Sequence, residues 1–150
     1  MKPHIFTIPV APFKQDMVVM VGITCKQFFA WNKKNGFITF DEDRKDIEQV
    51  FEDHKNSNGF TAFIPGRPIL LWLADYSYAN WGRMETLIHE LHHAVYFISK
   101  HYGTDDEMEF QAHLQINLFE SIRIRLANKI DKDKKKVKHK NKPKKRKKKR

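Results

Sequence analysis

The sequence predicts an α+β fold, in which a small, mainly antiparallel sheet packs against helices. Three observations point there. Four short runs in the first half are rich in β-branched and aromatic residues and are bounded by turn signals, which is the pattern of strands. From Trp81 to His101 the apolar residues recur every three to four positions instead, the pattern of an amphipathic helix. Between the third and fourth runs only Pro65-Gly66-Arg67-Pro68 intervenes, a connection that suits an antiparallel hairpin.

Residues 4–10 (HIFTIPV) and 17–23 (MVVMVGI) are the first two strands. Thr24 can cap a short helix running to about Lys34, with Phe28, Phe29 and Trp31 to pack, and Asn35-Gly36 ends it. Residues 43–55 form a second helix with Ile47, Val50 and Phe51 on one side, followed by the turn cluster Asn56-Ser57-Asn58-Gly59. The hairpin strands are 59–64 (GFTAFI) and 69–75 (ILLWLAD). A long helix then runs from Trp81 to about His101 and is stopped by Gly103. Thr104-Asp105-Asp106-Glu107 predicts the next helix start, with Thr104 capping, Glu107 three residues later and acids in the first turn. That helix is expected to end near Lys129.

At 150 residues with 41% hydrophobic content, the chain suits one compact domain. It has no apolar run of 18 residues, so no membrane-spanning helix is expected. The opening MKPHIFTIPV does not read as a secretory signal, and the single cysteine, Cys25, excludes an internal disulfide. Both features suit the cytoplasm. The net charge of +10 is concentrated at one end. Residues 131–150 hold fourteen Lys/Arg against two Asp, a charge of +12, and leave residues 1–130 at −2. A domain over 1–130 followed by a disordered lysine-rich tail over 131–150 is therefore expected.

Residues 89–93, His-Glu-Leu-His-His, match H-E-x-x-H. A helix puts residues i and i+4 on one face, so His89 and His93 differ by only about 40° around the axis and can share a zinc ion. Glu90 lies beside that face, where it can serve as the general base for water that a metal activates. With His89 as zero, Leu87, Leu91, Ala94 and Ile98 fall between about 140° and 200°, and Met84 and Val95 widen that stripe. One side of the helix is thus built to pack while the other is free to line a cleft. Chance gives roughly 0.02 such motifs in a chain of this composition, which favours a site over a solvated face that happens to carry these residues. His92 competes as an i, i+3 partner of His89. Glu90 would then stand about 160° from it, so a rim or hydrogen-bonding role suits His92 better.

A catalytic zinc takes a third protein ligand and keeps a fourth position open. The last helix offers Asp106, Glu107, Glu109, His113 and Glu120. Glu109 shares a face with Ala112, Ile116 and Phe119, whereas Glu107 shares one with Gln111, Leu114 and Leu118, and phasing alone leaves both open. Capping already accounts for Glu107.

With MVVMVGITCKQFFAW, GFTAFIPGRPILLWLAD, TLIHELHHAVYFI and DDEMEFQAHLQINL in this order, the chain resembles the small zinc metallopeptidases of bacteriophages and prophages, which are compact gluzincins. The resemblance spans most of residues 17–120. It implies a zincin-like fold, one Zn2+ ion, a peptide or protein substrate, and a location in the cytoplasm of an infected host or in the virion. Such enzymes place the third ligand, a Glu, three residues before an Ala on the following helix, which here is Glu109 before Ala112. The resemblance also implies that the strand from Ile69 to Asp75 is an edge strand able to pair with a substrate. His113 departs from the pattern, which commonly has an aromatic at that position.

His113 could donate to a ligand or to a developing oxyanion, although a partly exposed polar residue is the reading that suits it better. Tyr96, at about −20°, either lines the cleft or packs. Trp72 and Trp81 read as core or rim, and Cys25 as buried. The tail, densest at Lys144, Lys145, Arg146, Lys147, Lys148, Lys149 and Arg150, would bind nucleic acid by counterion release without base stacking, since it has no aromatic residue; a solubilising or targeting tail is the other reading. The alternative to an enzyme is a nucleic-acid-associated binding or scaffold protein with a catalytically silent zinc site.

Overall fold

The computed structural model describes the backbone of residues 3–37, 41–77 and 80–140, and the side chains of 3–37, 43–77 and 80–130. Eight elements follow one another: β1 (His4–Val10), β2 (Gln15–Val21), α1 (Cys25–Asn35), α2 (Asp41–Asp53), β3 (Gly59–Ala62), β4 (Ile69–Leu73), α3 (Trp81–Tyr102) and α4 (Met108–Lys140). The fold is α+β, a four-stranded mixed sheet followed by two long helices packed against it. None of its described helices is long and apolar enough to cross a membrane.

Strand order is β1-β2-β4-β3. The outer pairs β1/β2 and β3/β4 are antiparallel, and the central pair β2/β4 is parallel, with Met17 opposite Ile69 and Val21 opposite Leu73. This corrects the expectation that Ile69–Asp75 forms an edge. β4 lies between β2 and β3, and the edges are β1 and β3. The reason is legible in its composition. ILLWL is apolar at every position, as a strand covered on both faces must be, whereas an edge strand with one wet face alternates.

The pleat of β2 divides the core. Met17, Val19 and Val21 point to the α3/α4 side, and Val18 and Met20 to the side of α1 and α2, where they meet Phe28 and Ile47. Thr24 caps α1 with a full capping box to Gln27, and Gly36 closes it in the left-handed region at φ 69°. Asp43 on α2 pairs with Arg67 at 2.7 Å and ties that helix to the β3–β4 connection. Trp72 crosses to donate its indole N–H to the Ile23 carbonyl at 2.7 Å. Trp81, by contrast, is exposed at the start of α3. Cys25 is only half-buried, not buried as expected. Desolvation, with Glu48 nearby, pushes its thiol pKa up.

α4 starts later than the Thr104 signal suggests. Gly103 adopts φ 69°, so the Thr104 N–H folds back on the Ser99 carbonyl at 2.8 Å and belongs to the end of α3. The acidic residues form a turn, and α4 opens where Gln111 N–H reaches the Glu107 carbonyl at 3.0 Å. Leu114, Leu118, Ile122 and Leu126, spaced by four, are the face it buries. Arg125 and Lys129 donate to the carbonyls of Thr7 and Ile5 at 2.7 and 3.1 Å, covering the free edge of β1. The helix continues to Lys140 and does not stop near Lys129. The remainder of the tail, with Lys144 to Arg150, lies outside the described residues.

Candidate metal centre

Asn80 caps α3 by accepting from Arg83 N–H, and Gly103 ends the helix. Between these caps the helical period does what the sequence predicts. Leu87, Leu91, Ala94 and Ile98 are all 0% exposed, whereas His89, His92 and His93 are exposed. Burying a leucine of this stripe stabilises the packing by about 1.5–3 kcal/mol.

His89 and His93 converge. Their Nε2 atoms are 3.0 Å apart, one ring donating to the other, and the rings meet edge-on at 4.6 Å between centroids. Nitrogens bound about 2.0–2.1 Å from a tetrahedral ion would stand roughly 3.3 Å apart, so the pair already has the spacing of two zinc ligands. His92 turns aside, its ring 6.5 Å from that of His93.

Glu90 faces the sheet. Only 6% exposed, it packs against edge strand β3, where the Thr61 hydroxyl lies 2.9 Å from Oε2 and 2.8 Å from the Glu90 main-chain oxygen. A hydrogen bond to a charged group stabilises by about 1.5–3 kcal/mol and helps offset burial of the carboxylate. A Cβ on Gly59 would fall 3.0 Å from Glu90 Cγ and 2.9 Å from Thr86 Cγ2, so only glycine leaves this space. Beside these residues lies an open cleft of about 520 Å³, lined by Asn58, Gly59, Glu85, Thr86, His89 and Glu90. Sequence reasoning missed Gly59 and Thr61. The available signal was alternation: Phe60 turns to the other face and stacks on Trp72, which leaves its two small neighbours facing α3.

The proposed third ligand is not brought to this pair. The Glu109 side chain is 92% exposed, with His113 Nε2 3.8 Å away and itself 70% exposed. Around α4, Glu109 lies about 160° from the middle of the buried Leu114–Leu126 stripe. Glu107 precedes the helix and is exposed too. Among the described residues, no three His, Cys, Asp or Glu side chains cluster as an ion would need. The two imidazoles are donors that zinc accepts, the Glu90 carboxylate lies on the adjoining face against β3, and no third ligand stands with the pair among the described residues. Tyr96 is 47% exposed on the histidine side, with Lys100 5.7 Å above its ring. It borders the surface and does not fill core.

Compared with known proteins, the chain matches no family model, no curated protein and no solved structure.

Proposed function

We propose that the protein is a zinc metallopeptidase of zincin-like fold. One observation carries this reading: on a single turn of α3, two imidazole nitrogens stand at ligand spacing next to a buried carboxylate, beside an open cleft. His89 and His93 would hold the ion, which when bound supplies Lewis acidity and lowers the pKa of water. Glu90, held against the strand, takes the proton from the attacking water and returns it to the leaving amine. β3 is the edge strand at the cleft and offers its outer side to an extended peptide. This is the role that the sequence reading gave to Ile69–Asp75. Glu109 remains the proposed third ligand by resemblance, and α4 would have to turn its outward face toward α3 to deliver it.

Metal analysis of the purified protein should find about one zinc ion per chain. Glu90→Gln should keep that ion and lower kcat about 10²- to 10⁴-fold on a fluorescence-quenched peptide library. A Glu90→Gln variant that cleaves at the wild-type rate would sink the reading.

The second reading, a nucleic-acid-associated protein with a silent zinc site, draws on the outward Glu109 and on the +12 charge of residues 131–150. Here zinc is retained, no peptide is cut, and DNA binding falls steeply with salt. Deleting residues 131–150 should remove that binding. A truncated body that still held DNA would place the contact elsewhere.

A further inference from the structure

We infer that Thr61 is a positioning residue for Glu90: its hydroxyl, presented by edge strand β3, holds one carboxylate oxygen so that the other is offered to the cleft. This rests on the hydrolase reading above.

Three observations combine. The Thr61 hydroxyl lies within hydrogen-bonding distance of both the main-chain oxygen of Glu90 and its Oε2, so its one proton, shared between them, draws the carboxylate head toward the root of its own side chain. Threonine is β-branched and stiff at χ1, so the hydroxyl is itself held where the strand puts it. Gly59, two residues earlier on the same face, leaves the space in which the Glu90 stem lies, with a Cβ there 3.0 Å from Cγ and 3.1 Å from the Trp72 carbonyl. With Oε2 taken by Thr61, no described hydrogen bond occupies Oε1, and Glu90 lines the cleft. A general base must be within hydrogen-bonding reach of the proton it takes, and a glutamate free to rotate spends little time there.

The strand thereby has two tasks. Its outer edge is where an extended peptide would add, and its inward hydroxyl holds the base. A substrate seated on β3 would be registered against the same backbone that sets the position of Glu90. A purely structural threonine, one that only ties β3 to α3 through the main-chain oxygen, would affect stability but not turnover.

Thr61→Val removes the hydroxyl at nearly constant shape, and Thr61→Ser restores it. On the quenched-peptide library, Thr61→Val is expected to lower kcat about 10- to 100-fold, with KM within about twofold and zinc content unchanged. Thr61→Ser is expected to recover most of the rate. Independently of turnover, melting temperatures of the zinc-free wild type, Thr61→Val, Glu90→Ala and the double variant form a cycle. The shift caused by Thr61→Val should be smaller when Glu90 is absent. Full kcat in Thr61→Val, failure of Thr61→Ser to rescue, or strictly additive shifts would overturn the positioning role while leaving the hydrolase reading intact. A zinc-loaded wild type that cuts no peptide would overturn that reading and, with it, this inference.

Discussion

The two flanks of α3 are built on opposite plans. On the β3 flank, Glu90 is buried, with the Thr61 hydroxyl within hydrogen-bonding distance of its Oε2 and its main-chain oxygen, and fitted against a glycine with no room for a methyl group. On the α4 flank the contacts are mostly apolar. Ile88, Leu91, Gln115, Ile116 and Phe119 line a groove of about 220 Å³, Ile116 is 58% exposed, and among the described residues the polar tie is Gln115 Nε2 donating to the Ile88 carbonyl at 3.2 Å. The acid expected to serve the metal from that side points to solvent. Glu90 is thus placed by close complementarity, whereas α4 is placed by a leucine stripe that does not specify what its outer face presents. Hydrogen bonds and steric fit fix a single geometry. Apolar packing along a helix tolerates small rotations at modest cost.

Four measurements would sharpen or break this contrast. The largest expected effect is the loss of turnover in Glu90→Gln, about 3–5 kcal/mol of transition-state stabilisation for a 10²- to 10⁴-fold change. Next is Leu118→Ala, which empties a position only 3% exposed. A cost of about 2–5 kcal/mol is expected, and thermal unfolding should register roughly 2–4 °C per kcal/mol in a chain of this size. A neutral result would mean that the stripe does not seat α4.

Gly59→Ala should come third. The new Cβ meets Thr86, Glu90 and the Trp72 carbonyl, so the strand or the glutamate must shift. A destabilisation of about 1–3 kcal/mol is expected, together with reduced turnover, and an unchanged rate would show that the fit at Glu90 is looser than its distances indicate. The smallest effect belongs to Glu109→Ala. A side chain 92% exposed should change stability by less than about 0.5 kcal/mol. Zinc affinity, followed by competition with a chromogenic chelator, should stay at its wild-type value if α4 keeps this orientation. A drop of tenfold or more would show instead that α4 rotates and carries Glu109 to the histidine pair, and the two flanks would then be alike.

Within α3 almost everything was legible. The phase of Leu87, Leu91, Ala94 and Ile98 against His89 and His93 follows from 3.6 residues per turn, and burial agrees position by position. Gly36 and Gly103 ended their helices where expected, because a left-handed cap is a local demand that glycine meets cheaply. Thr104 misled because two local signals overlapped. It is a good helix start, but it directly follows the glycine that closes α3, and its N–H is already committed backward. The fully apolar run of β4 carried the correct answer about sheet order.

From sequence alone came the content of each element, the faces of α3, and the separation of a nearly neutral body from a cationic tail. These depend on residues a few positions apart, whose relative directions the backbone period sets before any folding contact is made. Tertiary structure decided which strand borders the cleft, that Thr61 meets Glu90 across 29 positions, and that the Glu109 face of α4 turns outward. Those outcomes depend on how separate elements are rotated and ordered to bury the most apolar surface, and no local period encodes that.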